Sequence, residues 1–158
     1  MANKLGARGL LPYAAVVAVL FATGFILVGV LFQEQPNTLL SNLSKKKSVK
    51  ISMETADSNF TRMRGLMFRE KVIPILFIFN SEGIYPIHSK FVPAEFDAIW
   101  LSPNGTAVDV IRRIPPNQTI IRPSASALYL LELPPEITDR LKIEEGDRLE
   151  WKNILDKK

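Results

Sequence analysis

The chain has 158 residues, no cysteine and a single histidine, His88. Without cysteine there is no disulfide and no thiolate to hold a metal. A zinc site draws on several His or Cys ligands, so a lone imidazole argues against metal-dependent hydrolysis. Nucleophilic catalysis is not expected either. Ser89, His88 and Asp97 can be written as a triad, but Ser89 and His88 are neighbours on an expected strand and would point to opposite faces. These residues assign no catalytic residue, no metal and no cofactor. No repeat of fixed period is present.

Charge is missing from one long stretch. Leu10 to Phe32, LLPYAAVVAVLFATGFILVGVLF, has no charged side chain across 23 residues. At about 1.5 Å per residue it spans about 34 Å, enough to cross a hydrocarbon layer of about 30 Å with some tilt. In that layer only a helix lets one segment pair all its backbone groups. Residues 10–32 are therefore expected to be a transmembrane helix in contact with membrane lipid. Pro12 sits near its start, where a missing N–H costs little, and Tyr13 is placed to meet the headgroups. The tail, residues 1–9, carries Lys4 and Arg8 and resembles the start of a secretory signal. The apolar run exceeds the usual core of about 7–15 residues, however, and no A-x-A-like cleavage site follows. The expectation is an uncleaved signal anchor.

Orientation is contested by charge. Lys4 and Arg8 favour a cytoplasmic N-terminus, whereas Lys45, Lys46, Lys47 and Lys50 lie on the other side. Long domains translocate largely regardless of such charges. Asn-x-Ser/Thr triplets at Asn42, Asn59, Asn104 and Asn117 all follow the helix and are N-glycosylation candidates. They tip the expectation to a cell-membrane protein whose C-terminal domain is extracytoplasmic.

Positive charge is concentrated at the membrane flanks. Residues 1–48 carry five cations and one acid, while residues 49–158 carry 15 of each sign. The domain has no basic excess to hold phosphates, so nucleic-acid binding is not expected. Its size, about 110 residues, suits one domain with its own core.

Residues 33–48, with Pro36 and the Lys45–Lys47 run, show neither helical nor strand period and are expected to be a linker. From Val49 the chain reads as mainly β. Val49, Ile51 and Met53 alternate with polar residues, which marks a half-buried strand. Asp57 is placed to cap a short helix with Phe60, Met63 and Met67 at helical spacing, expected to lie on the sheet by that Phe and Met face and to end at Gly65. Ile75–Phe79 is an apolar run suited to a strand buried on both faces, and Ser81-Glu82-Gly83 is expected to turn after it. Tyr85–Phe91, Phe96–Leu101, Ala107–Ile114, Thr119–Ile121, Ala127–Leu133 and Arg148–Ile154 read as further strands. Asn104-Gly105 supplies a hairpin turn between two of them. Pro135 or Glu136 opens a second short helix through Leu141. The expected architecture is an N-terminal transmembrane helix followed by a small β-barrel or sandwich with two short helices.

Five pieces in order carry a resemblance: Arg64-Gly65-Leu66-Met67-Phe68-Arg69, Ile75–Phe79, Lys90 with Asp97–Leu101, Tyr129–Pro134, and Ile143–Asp147. Together they resemble the family called domain of unknown function 192, over about Val49 to Trp151. The resemblance implies a small, mostly β domain, often behind a signal peptide or anchor, and no established activity. The chain departs from the pattern at His88-Ser89-Lys90-Phe91, where the family commonly has Trp-Met-Lys-Asn, and at Glu95, where it commonly has proline.

Glu95 and Asp97, two apart on a strand, should share a face and could divide acid and base roles in glycoside hydrolysis. A structural Asp97, accepting backbone N–H groups at a bend or pairing with Lys90 or Arg64, is the competing reading. Arg64, Lys90 and Arg113 could join Glu95 and Asp97 in lining a ligand site. The expected function is binding of a small ligand or an envelope protein without catalysis; the alternative is a cell-envelope carbohydrate hydrolase using Glu95 and Asp97.

Overall fold

The computed structural model describes residues 37–154; the expected transmembrane segment and its tail lie outside them. Among the described residues no helix is long and apolar enough to cross a membrane. The domain is mainly β with two short helices, built on two open sheets.

The smaller sheet is antiparallel, with β1 (Asn37–Asn42) between β2 (Lys47–Ser52) and β8 (Leu149–Asn153). The larger sheet has the order β3 (Glu54–Ala56), β4 (Ile75–Gly83), β7 (Ala127–Leu133), β5 (Phe96–Leu101), β6 (Ala107–Ile114). Only its β3–β4 pair is parallel. β3 and β6 remain as edges, so the sheet does not close into a barrel. The helices are α1 (Asn59–Arg64) and α2 (Pro135–Leu141).

Successive residues on β4, β5 and β7 enter different cores. Leu76, Ile99 and Leu131 join Leu40, Met53, Leu141 and Leu149 in one cluster, which fills the space between the sheets. Phe77, Trp100 and Leu130 join Leu66, Val92 and Phe96 in a second, on the opposite face. A strand with both faces covered has no solvent side, which is why ILFIF and ALYLLEL lack alternation. The second face is roofed by connecting segments, the 65–73 loop and residues 84–92 and 115–121, which contribute Leu66, Val72, Ile87, Val92 and Ile121. Trp100 is fully buried there, and its indole N–H donates to the Tyr85 carbonyl at 3.0 Å.

Several expectations are corrected. The linker expected over 33–48 contains β1, the central strand of the smaller sheet. Its polar residues disguise it: Thr38, Ser41 and Asn42 are buried and hydrogen-bonded rather than solvated. Helix α1 is capped by Ser58, in a reciprocal capping box with Thr61, and not by Asp57. Its Phe and Met face does not lie on the sheet: Phe60 and Met63 are 68% and 67% exposed. Ser81–Gly83 continues β4 and is no turn. Tyr85–Phe91 and Thr119–Ile121 are not strands; one bridge, Ile87 to Ile121, joins them.

Candidate functional site

The five ligand-binding candidates do not form one site. Asp97 is fully buried where β6 bulges: Phe96 pairs with Ile114 and Ala98 with Ile111, so Asp97 faces both Arg112 and Arg113. Arg113 takes a positive φ of 51° there, and its backbone N–H donates to Asp97 Oδ1 at 2.6 Å. A carboxylate that accepts the displaced N–H lets the ladder resume beyond the bulge. Asp97 Oδ2 lies 3.5 Å from Arg112 Nε but makes no hydrogen bond. Glu95 is exposed and pairs with Arg113 at 2.9 Å. Both arginines also pair with Asp139 of α2. The cluster ties the bulged edge to the helix. Asp97 is closed to solvent and offers no cleft carboxylate to partner Glu95 in glycoside hydrolysis. Neither Arg64 nor Lys90 takes part in this network.

The written triad is also separated. Ser89 is buried, donates from Oγ to the Pro115 carbonyl at 2.6 Å and accepts the Gln118 N–H at 2.8 Å. His88 is exposed, its Nδ1 accepting the Lys90 N–H at 3.3 Å. Ser89 thus stitches two loops together, its hydroxyl engaged by Pro115 and Gln118 rather than by His88 or Asp97.

Among the glycosylation candidates, Asn42 is fully buried; its Nδ2 donates to the Leu141 carbonyl and to Asp147 Oδ2 at 3.2 and 2.8 Å. Asn59, Asn104 and Asn117 are exposed.

A different carboxyl stands in a cavity. Glu132, on β7, is buried, and its Oε2 has no hydrogen-bond partner. It lines a space of about 240 Å³ beneath α1 and the Gly65 turn, walled by Met63, Leu66, Met67, Phe77, Ile87 and Val92, with Arg64 and His88 also lining it. Gly65 shapes this space. Helix α1 ends there because Gly65 adopts φ 43°, ψ −127°, which side-chain-bearing residues rarely take. Arg69 then folds the chain back: its Nε donates to the Gly65 carbonyl at 2.8 Å, and its guanidinium forks onto both oxygens of Glu54 at 2.9 and 2.5 Å. A shallower groove adjoins the cavity, sharing Arg62, Met63, Phe77, Pro86 and Ile87 with it.

Burial pushes the Glu132 carboxyl up to about 8, against a smaller opposing pull from Arg69. At neutral pH it is therefore a protonated acid, a hydrogen-bond donor inside an apolar space. The loops on either side are joined by an exposed aromatic stack. Phe68 and Phe91 lie 4.7 Å apart between ring centroids, and the Phe68 N–H donates to the Phe91 carbonyl at 3.0 Å. Both adopt left-handed backbone, φ 57° and 60°. In the sequence Glu132 stands only within an expected core strand and the family-like stretch Tyr129–Pro134. The available signal was an ionisable residue in a run, ALYLLEL, that is otherwise apolar on both faces.

Comparison with known proteins places this geometry in a family. The DUF192 family model (Uncharacterized ACR) matches residues 41–151. The chain belongs to the DUF192 family. A UPF0127 protein of Pyrococcus furiosus is 32% identical over 116 residues, which make up 72% of this chain and 98% of that protein. One from Pyrococcus horikoshii is 33% identical over 115 residues, with the same coverage. The aligned segment thus makes up nearly all of each of these relatives. Among solved structures, one from Sinorhizobium meliloti, described as a candidate transcription regulator, has a TM-score of 0.65 and 25% identity, covering 73% of this chain and 92% of that one. A protein of unknown function from Novosphingobium aromaticivorans has a TM-score of 0.63 at 20% identity, over 73% and 84% of the two chains, and shares the fold. Gly65, Asp97 and Glu132 all fall inside the DUF192 match.

Proposed function

We propose that this protein is a single-pass, membrane-anchored binding protein whose DUF192 domain, held outside the cytoplasm by residues 10–32, takes a small ligand in the cavity above Glu132. One observation carries the binding reading: a buried carboxyl oxygen, without a partner, lining a cavity. An unsatisfied buried polar atom costs about 1–3 kcal/mol, a cost that a ligand donor or acceptor would remove. Largely apolar walls with a few polar side chains, Glu132 among Arg62, Arg64 and His88, have the character of a ligand site, at a volume below the roughly 300–1,000 Å³ of drug-sized pockets. The anchor rests on the uncharged 23-residue run, and the outward placement on the three exposed Asn-x-Ser/Thr triplets at Asn59, Asn104 and Asn117, the buried Asn42 being no acceptor.

The hydrolase reading loses its support with Asp97 sealed at the bulge. The regulator description of the Sinorhizobium protein is not carried over, because the charges of residues 49–158 cancel.

A thermal-shift screen of the full chain in detergent, run beside Glu132→Leu, tests the binding reading, since a ligand of the native state raises Tm by mass action. Compounds that stabilise the native chain and not the variant support it; equal stabilisation of both would overturn it. Surface proteolysis of intact cells tests the topology: the expected result is loss of the domain, and full protection would reverse the orientation.

A further inference from the structure

Resting on the proposal that the Glu132 cavity is a ligand site, we infer that its ligand class is a small apolar monocarboxylate, whose carboxylate accepts a hydrogen bond from Glu132 and faces the cationic side chains of α1. The charges around the cavity favour an anion. Arg62 and Arg64 approach from α1, and both line the space. The Arg62 guanidinium is bonded to the Asp57 and Ile78 carbonyls and to Asn59 Oδ1, all neutral acceptors, so its charge is not cancelled by an acid. Arg64 is exposed and has no ion-pair partner among the described residues. From the 65–73 loop Arg69 faces Glu132, but it is forked onto Glu54 of β3. His88 lines the cavity from the 84–92 segment. Glu132 is the only acid in the lining. An ammonium ligand would meet two uncompensated arginines; a carboxylate is attracted by them.

The remaining contacts set the size and polarity of the ligand. Met63, Met67, Phe77 and Val92 offer an apolar wall to a short hydrocarbon or ring. A carboxylate has only acceptors, so it needs a donor at Glu132. The protonated acid supplies one, and the pair then shares a single proton and a single negative charge. Two ionised carboxylates at that distance would repel, so binding above the Glu132 titration requires uptake of one proton.

The test is calorimetric titration of the full-length protein in detergent with three matched probes: hexanoate, hexylamine and hexanamide. Hexanoate is expected to bind in preference to the other two. Its affinity should hold steady up to about pH 8 and then fall about tenfold per pH unit. Glu132→Gln, which keeps a donor through its amide, should still bind hexanoate but without the fall above pH 8. Arg64→Ala, a change at an exposed position, should weaken hexanoate severalfold and leave hexanamide unchanged. Preferential binding of hexylamine would overturn the inference while leaving the cavity a ligand site. Hexanoate binding without pH dependence would overturn it too. If none of the probes binds, the monocarboxylate class is wrong; the Glu132→Leu thermal-shift comparison then decides separately whether the cavity binds anything.

Discussion

Gly65 and Glu132 approach so closely that one added carbon would bring them into contact: a Cβ on Gly65 would lie 3.6 Å from Glu132 Oε2, and 3.2 Å from Cζ of Phe77. The turn that ends α1 and the buried acid on β7 are therefore parts of one construction. Gly65→Ala is expected to destabilise the domain by about 1–3 kcal/mol, since a side chain at φ 43° is strained and the Phe77 ring must shift. Urea denaturation of the fragment from Gln35 onward measures this. A loss below about 0.5 kcal/mol would show that the turn tolerates a side chain.

Glu132 should imprint a pH dependence on stability. Its folded value is raised from 4.5 to about 8, so between those limits the unfolded chain releases the proton while the folded one keeps it. The unfolded state then binds fewer protons, and stability falls as pH rises, by up to about 1.4 kcal/mol per pH unit, levelling off above pH 8. Glu132→Gln removes the titration and should be the more stable form at pH 8, with its advantage shrinking toward pH 4. Parallel denaturation curves at four or five pH values separate the two. Equal slopes for both proteins would mean that Glu132 is ionised in the fold.

Asp97 and Glu95 should behave very differently despite standing two residues apart. Asp97→Ala leaves the Arg113 N–H without its acceptor at the bulge, at an expected cost of about 2–4 kcal/mol. Asp97→Asn keeps an oxygen and should lose less. Glu95→Gln removes only an exposed ion pair and should change stability by less than about 1 kcal/mol. Comparable losses from Asp97→Ala and Glu95→Gln would refute the structural assignment of Asp97.

Asn42 tests whether residues 37–42 belong to the folded domain. Asn42→Ala strips two buried hydrogen bonds, to the Leu141 carbonyl and to Asp147 Oδ2, and should cost about 2 kcal/mol or more. A residue in a solvated spacer would show no effect. Hydrogen exchange of β1 amides gives a second readout: slow exchange is expected in the centre of a sheet and fast exchange in a linker.

Much of the fold is legible in the sequence. Ile75–Phe79 announces a strand through a continuous apolar run, Phe96–Leu101 and Ala127–Leu133 through runs broken only by Asp97 and Glu132, Asn104-Gly105 marks its hairpin, and Pro135 opens a helix where a missing N–H does no harm. The five ordered motifs pointed to DUF192 on local residue identity alone. These features are local: they depend on side-chain period and backbone preference within a few residues. Only the tertiary structure decided that Thr38, Ser41 and Asn42 lie inside, that Phe60 and Met63 lie outside, and that Asp97 seals a bulge while Glu132 lines a cavity. Local pattern cannot settle these points. Whether a polar group is solvated, satisfied or left without a partner depends on what arrives from distant chain: Leu141 and Asp147 at Asn42, Arg113 at Asp97, and the Gly65 turn over Glu132.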